Sequence, residues 1–315
     1  MSKKPQTLTA RAGHRLTVHR GDLPLWEEYF TSRTCKVSVN DDLFHVVPND
    51  GRFAPYDIKG GCQCLTFRPE RWNKAAHRVA LVRELEQSER AVYSQHGEDG
   101  VIVALLSRIP VSHKFIVEFG AYDGVTMSNS RRLIEQEGWA ALLIEPDACL
   151  YKRLAARYRD HDRVTTLRSF VKPANINRLF RDAAVPEDFE VLSIDIDGPD
   201  YYVWQALTDF RPKIVIVEYN ACIAPEREYV VPQAEALVLS GTSREGASLL
   251  SLYRLGKEKG YNLIYGELAG ANLFFIHDSC KQHFDLSGLR PSMLYQPPQF
   301  GVLAGGPAPN GRGYL

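Results

Sequence analysis

No apolar run in this 315-residue sequence approaches the about 18–20 residues that a membrane crossing needs. The first residues, MSKKPQTLTARAGHR, lack the apolar stretch of a secretory signal, so a cytoplasmic protein is expected. Neither sign of charge is in excess: 38 basic residues stand against 38 acidic ones, which argues against a nucleic-acid partner or an anionic membrane surface. The six cysteines include no C-x-x-C pair and no zinc-knuckle spacing. Cys62 and Cys64 form only C-x-C, and reduced structural thiols suit the same compartment. Repeats and low-complexity segments are absent. Also missing is G-x-G-x-x-G, the turn with which a doubly wound sheet admits a pyrophosphate. What remains, at 44% hydrophobic residues, is the composition of a globular protein with a full core.

The stretch from Lys114 to Pro146, KFIVEFGAYDGVTMSNSRRLIEQEGWAALLIEP, reads as strand, glycine turn, helix, strand. Phe115 to Phe119 is rich in β-formers and carries an acid, Glu118, near its end. Gly120 and Gly124 bracket a turn whose reversal favours residues without a Cβ. The helix buries Leu133 and Ile134, and Gly138 stops it. Ala140 to Ile144 makes the next strand, which runs into Glu145. A glycine turn before a helix, with an acid at the next strand tip, is how such sheets hold a nucleoside; the acid takes the ribose hydroxyls. Here Glu118 and Asp123 flank the turn and no basic residue does, so phosphates would be repelled. A cationic, phosphate-free nucleoside such as S-adenosylmethionine (SAM) would be welcomed. The bland alternative is a βαβ unit whose glycines only make a turn.

Residues 1–90 read as a small accessory region that can cover the site, pad the sheet or help form a homo-oligomer. Trp26, Tyr29 and Phe30 can share a helical face, while Cys35–Val39 and Leu43–Val47 suit strands around Asn40-Asp41-Asp42. Residues 91–280 alternate strand and helix. The strands are expected at Phe115–Phe119, Ala140–Ile144, Arg163–Leu167, Phe189–Ile196, Lys213–Val217, Tyr261–Tyr265 and Ala271–His277. That spacing predicts an α/β fold, a Rossmann-like doubly wound seven-stranded sheet with an antiparallel last strand. Residues 221–246 have no clear period and read as a lid or binding loop, and 281–315 as an irregular tail.

In this order occur S-Q-H-G-E-D-G, V-E-F-G-A-Y-D-G, S-N-S, G-W-x-x-L-L-I-E-P, L-S-I-D-I-D-G-P-D-Y-Y-V-W, V-E-Y-N and G-A-N-L-F-F-I. Together, from about Tyr93 to His277, they resemble the FkbM-type branch of class I SAM-dependent methyltransferases. The resemblance implies methyl transfer to a hydroxyl of a sugar, glycan or small metabolite. By position, Gly120, Ala121, Asp123 and Gly124 would wrap the methionine end of SAM, Glu118 would orient its amine and Glu145 would hold the ribose. Gln95 and Asp99 would reach the carboxylate end or the acceptor, and Phe170 would pack on adenine in place of the acid many relatives carry there.

An acceptor alcohol needs alignment and a base or metal. Asp195 and Asp197, two apart at a strand end, are expected on one side of that strand. With Glu218 and Asn220 they look similar to the magnesium site of metal-dependent O-methyltransferases, in which Asp195, Glu218 and Asn220 would bind Mg²⁺ and Asp197 would be the base. The departures are a glutamate for the usual aspartate and Tyr219 between it and the amide. The alternative places Asp195 on SAM and Asp197 as a helix cap. His96 is the competing base. Tyr201, Tyr202 and Trp204 can stack on a ring or simply pack a helix. A SAM-binding scaffold without turnover and a nicotinamide oxidoreductase are the other classes open at this point.

Overall fold

The computed structural model describes the backbone of seven strands between residues 6 and 69, and residues 79–296 apart from 222, 224, 235 and 237–245. The strands before residue 70 are antiparallel. Cys35–Asn40 pairs with Leu43–Pro48, as the sequence suggested, in a four-stranded sheet. Leu23–Tyr29 is a strand rather than a helix, in a three-stranded sheet with His14–Arg20 and Cys64–Pro69. Phe30 lies outside the described residues.

The larger sheet has seven strands: β1 (Phe115–Phe119), β2 (Ala140–Ile144), β3 (Val164–Leu167), β4 (Val191–Ile194), β5 (Ile214–Glu218), β6 (Tyr261–Gly266) and β7 (Asn272–His277). Their order is 3-2-1-4-5-7-6, parallel throughout except that β7 is antiparallel to both neighbours. The central strands bury both faces, which is why I-V-I-V in β5 and V-L-S-I in β4 do not alternate with polar residues. The helices are α1 (Ala80–Ser88), α2 (Glu98–Leu106), α3 (Arg131–Glu137), α4 (Ala148–Arg157), α5 (Ile176–Asp182), α6 (Asp200–Ala206) and α7 (Leu249–Glu258). Asp147 caps α4 by accepting from the N–H of Cys149 and Leu150, and Ser248 caps α7 through Ser251. Phe180 collects Phe119, Phe189 and Phe210 at 5.1–5.8 Å, and Trp204 packs on Phe275 at 4.8 Å and Tyr261 at 5.6 Å. Trp204 is therefore core, which settles helix packing over ring stacking for that residue.

Two flanking segments belong to this core. Leu81, Val82 and Leu85 of α1 join the buried cluster, and α1 lies against α2 and β6. Residues 281–296 also pack down: Leu294 and Tyr295 are buried, Tyr295 donates to the Ala221 carbonyl at 2.7 Å, and Tyr219 donates to the Gln296 carbonyl at 2.7 Å. At the N-terminal edge of the sheet, buried Glu190 accepts from the N–H of Ser112, His113 and Phe115 and from Lys213 Nζ at 3.1 Å, tying β1 to β5.

The strand order reverses between β1 and β4, so the cleft opens there, at the carboxyl ends of the strands. Gly120 sits at this point with φ of 67°, and a Cβ on it would stand 2.0 Å from the Asp195 carbonyl oxygen. Backbone cannot yield as a side-chain tip can. Gly120→Ala is expected to cost at least about 2 kcal/mol, read as a lower denaturation midpoint; an unchanged midpoint would show that the two loops separate freely.

Candidate functional site

Glu118 ends its strand in a cage of donors. Its carboxylate accepts from Asn129 N–H at 2.7 Å, Ser128 Oγ at 2.9 Å, Ser130 N–H at 3.4 Å and Ser130 Oγ. Burial pushes its pKa up, and the serine and backbone donors oppose that rise. The S-N-S motif thus fastens the loop that joins β1 to α3, and Asn129 Nδ2 donates onward to Ser193 Oγ of β4 at 3.0 Å. Asp123 makes a tight turn, accepting from Val125 N–H at 3.0 Å and Thr126 N–H at 2.8 Å. Burial works against its ionisation, but the N–H groups of Thr126 and Val125 prevail and hold it below its ordinary value. Ala121 is buried, its N–H donating to the Ile144 carbonyl at 3.1 Å, and Tyr158 Oη donates to the Gly124 carbonyl at 3.1 Å.

Glu145, just beyond β2, accepts from Tyr122 N–H at 3.0 Å and Asp147 N–H at 2.8 Å, so it clamps the glycine loop to its own strand. Burial raises its pKa, against those two N–H groups. Each carboxylate oxygen can accept twice, and among the described residues no cation pairs with Glu118 or Glu145. Phe170 is 68% exposed after β3, and Arg168 two residues earlier donates its Nε–H to the Pro146 carbonyl at 3.4 Å.

Asp195, Asp197 and Glu218 bring one carboxylate oxygen each within 4.8 Å of one another. The route differs from the one the spacing suggested. β4 stops at Ile194, and Asp197 has φ of 55°, so the two aspartates meet through a left-handed turn rather than along one strand face. Asp200 shapes the start of α6, accepting from Ile196 N–H at 3.0 Å and Gly198 N–H at 2.8 Å. Asp195 meets solvent at the cleft floor but is walled in by protein. That enclosure, then the charges of Asp197, Asp200, Glu98 and Glu118, pushes its carboxyl well above the ordinary range. Asn220 follows at the tip of β5, its N–H donating to the Ala247 carbonyl at 2.8 Å.

The 93–100 loop packs on the same edge. Tyr93 lies under the Arg131 guanidinium, 4.0 Å from ring centre, and its carbonyl accepts from Ser128 N–H at 3.1 Å. Asp99 is 1% exposed and turned inward, accepting from Val92 and Tyr93 N–H and from Ser94 Oγ at 2.9 Å. It holds the loop and does not face the cleft. Gln95 is exposed and His96 half-buried. Burial lowers the His96 pKa, with Glu98 pulling the other way. Glu98 bridges the elements, accepting from His96 N–H at 2.8 Å and Asn272 Nδ2 at 3.1 Å.

From the sequence neither Asp200 nor Glu98 received a role of its own, although both sit in the quoted motifs; their signal was an acid in the first turn of a helix. Chemically the edge offers hard oxygen donors and half-buried histidine at the mouth of a cleft, a set suited to a small cation or a cationic ligand. Replacing Glu118 by alanine would strand Asn129 N–H and two serine hydroxyls. A loss of about 3 kcal/mol is expected in urea unfolding; a loss under about 1 kcal/mol would mean that water replaces the carboxylate.

No family model matches the sequence, and no curated protein does either. Solved structures of similar shape include the N-terminal domain of EvdMO1 with SAH bound, 13% identical over 57% of this chain and 80% of that one, with a TM-score of 0.40. The CMeT domain of the citrinin polyketide synthase is 13% identical over 60% of this chain, with a TM-score of 0.39, and the chain spans about half of that domain's length, 55%. The SAH-bound methyltransferase PaMTH1 of Podospora anserina is 12% identical over 63% of this chain and 88% of its own, with a TM-score of 0.39.

Proposed function

We propose that this chain is a SAM-dependent methyltransferase, of the FkbM-type branch that its motifs resemble, acting on a hydroxyl of a sugar or small metabolite. The observation that carries this reading is a cleft edge whose buried acids Glu118 and Glu145 are held by neutral donors instead of by cations. Such an edge keeps a negative field toward a positively charged ligand. The donor set fits SAM: Glu145 retains acceptor capacity for ribose hydroxyls, exposed Phe170 offers a face to adenine, and Asp195 lies at the floor for the amine and sulfonium end. When bound, SAM supplies a methyl group already activated on sulfur.

The chain's own residues then have two tasks, alignment and proton removal. Asp197 stands on the solvent side of the left-handed turn and is the base for the acceptor hydroxyl. His96, kept neutral by burial, is the second proton acceptor on the same edge. Asp195 and Glu218, whose carboxylate oxygens lie within 4.8 Å of each other, would with Asn220 hold Mg²⁺ and leave Asp197 as the base, and a bound ion would lower the acceptor's pKa.

Calorimetric titration with SAM and with its demethylated product tests the reading, and labelled methyl donor with cell extract identifies the acceptor by product mass. Glu145→Ala is expected to weaken donor binding at least about tenfold. Asp197→Ala should abolish turnover with donor affinity within about twofold. Because Asp195 is raised and a cation binds its ionised form, donor affinity should increase as pH rises. Absence of binding heat would refute the proposal; binding with no turnover on any acceptor would leave a SAM-binding scaffold.

A further inference from the structure

The hairpin joining β6 to β7 lies on the cleft edge, because β7 runs antiparallel and its first residue, Asn272, is in register with Glu218. Its first residue after β6, Glu267, has no solvent exposure. One carboxyl oxygen, Oε1, accepts from the N–H of Ala271 and Asn272, each at 3.1 Å. The other, Oε2, is fully buried and meets no donor among the described residues. Its neighbour is Glu98: Asn272 gives its backbone N–H to Glu267 Oε1 and its Nδ2 hydrogen to Glu98 Oε1, which sets the two carboxyl groups side by side.

Two carboxyl groups can hydrogen-bond to each other only if one of them carries a proton. The neighbours decide which. Both oxygens of Glu98 already face donors, His96 N–H on one and Asn272 Nδ2–H on the other. Glu267 Oε1 likewise faces two N–H groups, whereas Glu267 Oε2 faces no donor among the described residues and is the oxygen that takes the hydrogen. Further acids stand around the pair: Glu89 at the end of α1, pushed up to about 7 chiefly by burial, accepts from Tyr265 Oη at 2.7 Å, and Glu86 lies one turn earlier. Asp195 feels Glu98 from the tip of β4, and the half-buried His96 ring stands on the loop that Glu98 holds.

We propose that Glu267 is a protonated positioning residue, donating its carboxyl hydrogen to Glu98 and so fixing the 94–98 loop, with Gln95 and His96, against the catalytic edge. The activity part of this inference rests on the methyltransferase reading; the proton itself does not. Burial, followed by the charge of Glu98, raises the Glu267 pKa well above its ordinary value, which agrees with the geometry. A carboxyl raised in the folded state stabilises most at low pH, and that contribution is lost as pH rises through the folded value.

Two isosteric changes in the full chain separate this arrangement from mere packing. In Glu267→Gln an amide N–H replaces the shared hydrogen while the amide oxygen keeps both backbone donors, so wild-type melting temperature and turnover should be retained within about twofold. In Glu98→Gln an amide N–H must oppose His96 N–H or Asn272 Nδ2, and turnover should fall about tenfold or more through kcat, with a lowered melting temperature. The wild-type melting temperature should fall reversibly as pH rises from the ordinary carboxyl range to the folded-state value, and Glu267→Gln should lack that part of the fall. Infrared spectra at neutral pH should show a protonated carboxylic acid that Glu267→Gln removes. Equal tolerance of the two glutamines, or the same fall with pH in Glu267→Gln as in wild type, overturns the shared proton without reference to any donor or acceptor. If the proton is found but Glu98→Gln turns over at the wild-type rate, the positioning role is overturned.

Discussion

Buried carboxylates need compensation, and this protein supplies it differently at the two edges of one sheet. At the N-terminal edge Glu190 has a lysine, Lys213, as well as three N–H donors. At the cleft edge the donors to Glu118 and Glu145 among the described residues are N–H and hydroxyl groups. A dipole can solvate a carboxylate without cancelling its charge. The difference leaves the cleft negative and the opposite edge balanced, and the choice of ligand follows from that asymmetry.

The same donors set the shape of the cleft. Ser128, Asn129 and Ser130 converge on Glu118, and Asn129 reaches on to Ser193, so the loop beyond β1 is registered against β4 by side chains on either side of the switch point. Glu145 does the same between that loop and β2. Acids expected to be ligand contacts are thus also the pins of the loops that form the site. Removing one changes the wall as well as its charge.

Much of this was legible in the sequence, for identifiable reasons. Strands buried on both faces read as apolar runs, and helices between them kept their period, so the doubly wound seven-stranded sheet and its antiparallel last strand followed from spacing. Glu118 and Glu145 stood out as acids at the tips of apolar strands, and the structure gives both a loop-pinning role. What escaped depended on backbone turns. Asp197 takes a left-handed conformation that alternation along a strand does not foresee, and Asp99 spends its carboxylate on the loop behind it. Leu23–Tyr29 was misread because aromatic spacing in seven residues serves a helix face as well as a strand. Residues 281–296, poor in periodic pattern, pack through single contacts such as Tyr295 on Ala221.

The clasp between Tyr219 and Gln296 bears on how the protein comes into being. Its two halves are 77 residues apart, and the bridges from Asn272 to Glu98 and from Tyr265 to Glu89 span 174 and 176. Contacts so distant in sequence close late, because the chain entropy they restrict is lost before they are gained. During synthesis the strands from β1 to β5 can pair while the rim of the cleft is still missing. A nascent chain would therefore present a sheet with its acids unshielded until residue 296 has emerged, and a cationic small molecule would find no finished recess on it before then.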